Sequence, residues 1–132
     1  MLLGCAPIAL PVEQPPAPAT TVALGEPAIR AGVTVTPLRV LEDSRCPHGV
    51  QCVQAGTVRL AVRITRGSNS REPVLVLDEP QQVWPGLWVT LAGVCPYPRF
   101  PEPRQREGYR FAFMAAEGAP PPPLDFACPR AP

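Results

Sequence analysis

Proline occupies 21 of the 132 positions in this chain, about three times its ordinary usage. Each proline fixes the backbone angle φ and removes a hydrogen-bond donor, so long helices cannot run through such a sequence. Hydrophobic residues still make up 45% of the chain, which is enough for one domain with a modest core. The combination predicts short strands, turns and extended segments.

Several segments alternate apolar and polar residues, the period of a half-buried strand. The clearest is Thr57 to Thr65, and a polar turn at 67–70 joins it to an apolar run at 74–77, as in a hairpin. Pro37 shifts the apolar phase of another strand, which predicts a bulge or an edge strand there. Six or seven short strands and no convincing helix predict an all-β fold, a small antiparallel β-sandwich or barrel.

The chain divides by composition into four parts. Residues 1–5 look like the end of a signal peptide, and residues 6–19 form a proline-rich tether. Residues 20–115 carry the strand patterns of the β domain. Residues 116–132 form a proline-rich C-terminal tail that is expected to lie along the surface.

The segment Leu2-Leu3-Gly4-Cys5 resembles the lipobox of bacterial lipoproteins. The resemblance implies that Cys5 carries a lipid, becomes the mature N-terminus and anchors the protein to a membrane. A signal peptide needs a positive start and about 7–15 apolar residues before its cleavage site, so the natural chain is expected to begin upstream of Met1. The alternative is a chance apolar start with a free cysteine.

Five cysteines are an odd number, which suggests that one is lipidated and four are paired. Four cysteines allow three pairings. Proximity favours Cys46–Cys52, which leaves Cys95–Cys128 to fasten the C-terminal tail to a core strand. In the chain-entropy treatment the shorter bridge stabilises the fold by roughly 2 kcal/mol and the longer one by roughly 4 kcal/mol.

One loop carries the most specific motif of the chain: Asp43-Ser44-Arg45-Cys46-Pro47, then Val50-Gln51-Cys52, then Ala55-Gly56. It resembles a family of small bacterial secreted lipoproteins and domains of unknown function. Weaker matches follow at Pro96-Tyr97-Pro98 and at an aromatic strand near residues 109–113. The usual tryptophan before Ala-Gly is Gln54 here. The resemblance implies a secreted disulfide-containing domain and brings no activity with it.

Composition argues against several classes of function. The net charge is +1 with no clustered basic face, so nucleic acid is not an expected partner. His48 is the only histidine, which excludes chemistry that needs two imidazoles. The neighbouring carboxylates Glu42 and Asp43 point to opposite faces of a strand and do not converge. We therefore expect no enzymatic activity and no cofactor.

The candidate contact residues are Arg45 and His48 in the disulfide loop, and Arg99, Arg104 and Arg106 in a later loop. The arginines could hold an anionic polymer or a lipid headgroup, or they could form a solvated loop balanced by neighbouring glutamates.

The leading hypothesis is a non-enzymatic binding or structural module, anchored by lipid in the bacterial cell envelope, with a protein or an envelope polymer as partner. An alternative is a metal-binding envelope protein that uses Cys46, His48 and Cys52, since zinc and copper accept these ligands. A third is an inhibitor-like domain that presents the disulfide loop to a protease.

Overall fold

A computed structural model describes residues 20–99 and 108–128. Eight strands and no helix lie in these ranges, which confirms the all-β prediction. The strands are β1 (Ala28–Arg30), β2 (Val33–Asp43), β3 (Val58–Arg66), β4 (Asn69–Arg71), β5 (Val74–Val76), β6 (Gln81–Trp84), β7 (Leu87–Cys95) and β8 (Arg110–Glu117). Cys5, the tether, Arg104 and Arg106 lie outside the described residues.

The strands form two antiparallel sheets. One has the order β1-β2-β3-β4, with β5 also paired to β3, and the other has the order β6-β7-β8. The long pair β2–β3 extends from Thr34 opposite Thr65 to Asp43 opposite Val58. The alternation predicted for β3 is confirmed, because its four inward apolar residues are fully buried: Val58, Leu60, Val62 and Ile64.

The proline in β2 is followed by an irregular ladder. The register between β2 and β3 shifts between Pro37 and Arg39, and again between Val40 and Glu42. The change of apolar phase at Pro37 predicted a bulge or an edge strand, and the register shift after Pro37 fits the bulge. The second shift lies just before the loop that carries the motif.

The two sheets are joined along both seams. On one side Val22 pairs with Phe111 of β8, and the Gly25 amide donates to the Pro37 carbonyl of β2 at 2.8 Å. On the other side the Leu77 amide donates to Val58 and the Asp78 amide donates to Leu91, each at 2.9 Å. The molecule is thus a partly closed barrel around one apolar core, whose largest fully buried side chains are Phe111, Leu60, Ile64, Leu75, Leu87 and Leu91.

In the described part of the C-terminal tail, Phe126 covers the outer face of the second sheet at Gly93. The ring of Phe126 lies against Gly93 so closely that a Cβ on that glycine would be 2.1 Å from Cδ1. Ala112, the partner of Gly93 in β8, is 1% exposed although it lies between two residues that face the core. This cover explains why most of β7 is buried on both faces.

Candidate functional site at the disulfide end

Two disulfides lie at one end of the barrel. Cys46 is bonded to Cys52 with a Cα–Cα distance of 6.0 Å, and Cys95 is bonded to Cys128 with a Cα–Cα distance of 5.5 Å. These are the pairs that sequence proximity favoured. The first closes the loop after β2, and the second ties the tail to the last residue of β7. We call this the disulfide end.

Backbone pairing holds the Cys46–Cys52 loop onto the start of β3. The Ser44 amide donates to the Thr57 carbonyl at 2.8 Å, and the Thr57 amide donates to the Ser44 hydroxyl at 3.0 Å. Gly56 completes this contact with a φ of 71°, and a Cβ there would lie 1.8 Å from the Ser44 carbonyl oxygen. Only glycine fits, which gives a physical reason for the Ala-Gly of the motif.

The Asp-Ser-Arg part of the motif forms a buried ion pair. The Arg45 Nε and Nη2 atoms each lie 2.9 Å from an oxygen of the Asp43 carboxylate. The same guanidinium donates to the carbonyls of Val94 at 2.7 Å and Pro96 at 3.0 Å. Tyr109, the residue just before β8, donates its hydroxyl to Asp43 at 2.8 Å.

Arg45 therefore cannot be a surface contact residue, and that expectation is corrected. It is only 4% exposed, because a bidentate carboxylate and two carbonyls satisfy its donors inside the protein. Its role is to tie the loop after β2 to the end of β7.

The electrostatics of Asp43 follow from this pairing. Burial alone would raise the pKa of Asp43, but hydrogen bonds from Arg45 and Tyr109 and the charge of Arg45 outweigh it. The net result is a pKa below the ordinary 3.8. Asp43 is therefore a charged structural group and is poorly suited to act as a general acid.

The disulfide loop and the segment after β7 form one continuous surface. The His48 amide donates to the Pro98 carbonyl at 2.9 Å, and His48 forms an isolated parallel bridge with Arg99. The His48 ring centroid lies 4.5 Å from that of Tyr97. The buried Arg45 guanidinium lies 5.4 Å from the same tyrosine ring, so Tyr97 links the surface to the ion pair beneath it.

Large apolar groups are exposed on this surface. Val53 is fully exposed, Tyr97 is 46% exposed and Val50 is 39% exposed. His48 and Arg99 are also exposed beside them. We call these five residues the loop patch. The loop patch therefore exposes apolar and aromatic surface with the cationic Arg99 at its edge. A disulfide and the hydrogen bond between the two loops hold its backbone in place.

The geometry does not support a metal centre at this site. The sulfurs of Cys46 and Cys52 are bonded to each other and are not available as thiolate ligands. Within residues 20–99 and 108–128, no three His, Cys, Asp or Glu side chains come together to hold a metal ion. The same residues contain no helix long and apolar enough to span a membrane.

The structure thus brings together His48, Arg99 and both disulfides of the predicted site. Sequence reasoning missed the roles of Tyr97 and Tyr109, which it assigned only to a weak motif and to a strand. The signal in the sequence was the Asp-x-Arg spacing, which allows an ion pair. When such a pair is buried, its charged groups need further hydrogen-bonding partners, which polar side chains such as tyrosine supply. Comparisons with protein-family models, with curated proteins and with solved structures return no match for this chain.

Proposed function

We propose that this protein is a lipid-anchored module of the bacterial cell envelope that binds a partner through the loop patch without catalysing a reaction. The observation that carries the proposal is the division of the cysteines. Four of the five are paired in disulfides, and these persist in oxidising compartments outside the cytosol. The fifth, Cys5, is the cysteine of the lipobox-like segment.

The loop patch supports the binding role. An exposed valine and a half-exposed tyrosine cost free energy in water and gain it when a partner covers them. The disulfide and the His48–Pro98 hydrogen bond hold the patch in one conformation, so little conformational entropy is lost on binding. A protein surface or an envelope polymer with apolar and anionic groups has the complementary chemistry.

The inhibitor-like alternative receives less support from the loop. The Val50 amide donates to the Pro47 carbonyl at 3.3 Å, and Gly49 has a φ of 90°. The loop therefore turns back on itself at its tip. A segment that pairs with a protease as an added strand would need to be extended there.

The test expresses the gene from its own locus in its bacterial host. The wild-type chain is expected in the membrane fraction, and Cys5→Ala is expected to move it to the soluble fraction. A photo-crosslinking amino acid in place of Val53 is expected to give one discrete product in wild-type cells. The matched control places it at Ile29, which is 71% exposed on β1 and remote from the loop patch.

Two results would contradict the proposal. If wild type and Cys5→Ala partition in the same way between the membrane and soluble fractions, Cys5 does not anchor the protein. If crosslinking from positions 53 and 29 gives the same products, the loop patch is not a specific binding surface.

A further inference from the structure

A second polar cluster lies at the barrel end opposite the disulfides. Strand β3 leaves the disulfide end at Val58 and ends at Arg66, where the short hairpin to β4 begins. The guanidinium carbons of Arg66 and Arg71 lie 4.7 Å and 5.1 Å from the ring centroid of Trp84. The tryptophan is 7% exposed while both arginines are exposed. We call these three residues the Arg–Trp cluster.

The strand register explains why both arginines reach the same ring. Arg71 lies opposite Ile64, and side chains two positions apart share a face of the sheet, so Ile64, Arg66 and Arg71 point the same way. Ile64 is in the core. The two arginines lie on the same face of the sheet as Ile64, just beyond the edge of the core. There they meet Trp84 from the second sheet.

No carboxylate neutralises these two charges in the described part of the chain. Glu72, the one acidic residue of the hairpin sequence, lies on the opposite face, where Arg63 binds it at 3.0 Å. Arg71 donates one hydrogen bond to the Val83 carbonyl, and this contact fixes its guanidinium over the Trp84 ring. The other donors of Arg71, and those of Arg66, have no protein acceptor among the described residues.

We propose that the Arg–Trp cluster is a binding site for a phosphate group. A guanidinium packed on an aromatic face keeps its N–H donors free at its edge, in the fork geometry that suits oxyanions. One fork suffices for a carboxylate, whereas two forks match the several oxygens and the charge of a phosphate. Two adjacent cations without a counter-ion also repel each other, and a bound anion removes that repulsion.

The course of the chain suggests where the phosphate comes from. Val22 pairs antiparallel with Phe111, and Arg30 donates to both Thr20 and Phe113, each at 3.1 Å. Followed back from Val22 to Thr20, the chain therefore runs along β8 towards its Glu117 end, which is the end of the Arg–Trp cluster. If Cys5 carries a lipid, as proposed above, a phospholipid headgroup is one source of the phosphate, and free or polymer phosphate is the other.

The experiment uses the full chain with Cys5→Ser, so that no lipid anchor contributes. Trp88→Phe is added so that Trp84 is the only tryptophan of the chain. Titration with inorganic phosphate is expected to change Trp84 emission saturably. Arg66→Gln is expected to weaken binding at least fivefold, while Arg59→Gln leaves it unchanged. Arg59 is the matched control, an exposed arginine of the same strand without a ring contact.

A second arm uses vesicles of phosphatidylglycerol and, as a neutral comparison, of phosphatidylcholine. Binding to the anionic vesicles that depends on Arg66 identifies a headgroup as the source, whether or not free phosphate also binds. Binding to phosphate alone identifies a soluble source. No saturable response in either arm, or equal losses in Arg66→Gln and Arg59→Gln, would overturn the proposal. Because Cys5 is absent here, this result is independent of whether the anchor exists.

Discussion

At the residue scale, the motif of this chain is explained by a buried ion pair. The sequence predicted that Asp43 and Arg45 lie in one loop motif, with the arginine as a contact residue. The structure buries it, because the carbonyls of Val94 and Pro96 accept from the arginine, while the Tyr109 hydroxyl donates to its partner Asp43. Those groups come from segments about fifty residues or more along the chain, so local sequence reasoning could not place them.

Removing the charge of Asp43 tests this ion pair. Asp43→Asn leaves the Arg45 guanidinium buried without its counter-charge, so we expect a loss of about 3–5 kcal/mol in the free energy of unfolding. The control Glu42→Gln changes an exposed carboxylate of the same strand and should alter stability by less than about 0.5 kcal/mol. Denaturant unfolding at neutral pH measures both.

The pH dependence gives a second readout of the same substitution. The folded pKa of Asp43 is below its ordinary value of 3.8, so its stabilising contribution is complete above that pH. The contribution is lost as the pH falls below 3.8 through the folded pKa. Asp43→Asn should therefore flatten the acid limb of the stability profile, and a limb as steep as that of the wild type would contradict the assignment.

At the scale of elements, sequence periodicity was sufficient for the long strands and insufficient for the short ones. Strand β3 was predicted with its buried face because nine residues display the period of two clearly. Strands β1 and β4 have three residues each, too few to show a period, and their positions depend on tertiary pairing. Strand β5 is equally short, but the sequence indicated it by its apolar run, not by a period. The course of the tail depends on a contact between Gly93 and Phe126 that no local pattern reveals.

A double-mutant cycle tests the docking of the tail. Gly93→Val places a side chain where the Phe126 ring lies, so we expect a destabilisation of about 1–3 kcal/mol. In a Phe126→Ala background the same substitution should cost less, with a coupling energy of about 0.5–3 kcal/mol. Additive effects in thermal or denaturant unfolding would show that the ring does not occupy that position.

At the scale of the whole molecule, the barrel has two chemically different ends. One end carries both disulfides and the loop patch, and the other carries the Arg–Trp cluster. The all-β class and the cysteine pairs could be predicted from alternation and proximity. The closure of the barrel through Val22 and Leu77, and the meeting of His48 with Tyr97, could not, because they depend on how two sheets fold over each other.

The central proposal is that this domain, which is closed by two disulfides, is exported and anchored through its remaining cysteine. The most direct measurement is mass spectrometry of the protein isolated from its host after thiols are blocked at lysis. We predict an N-terminal peptide that begins with a lipid-modified Cys5, and two disulfide-linked peptide pairs, Cys46–Cys52 and Cys95–Cys128. Blocked thiols at Cys46 and Cys52, together with an unmodified Cys5, would contradict the claim and would describe a reduced, unanchored protein.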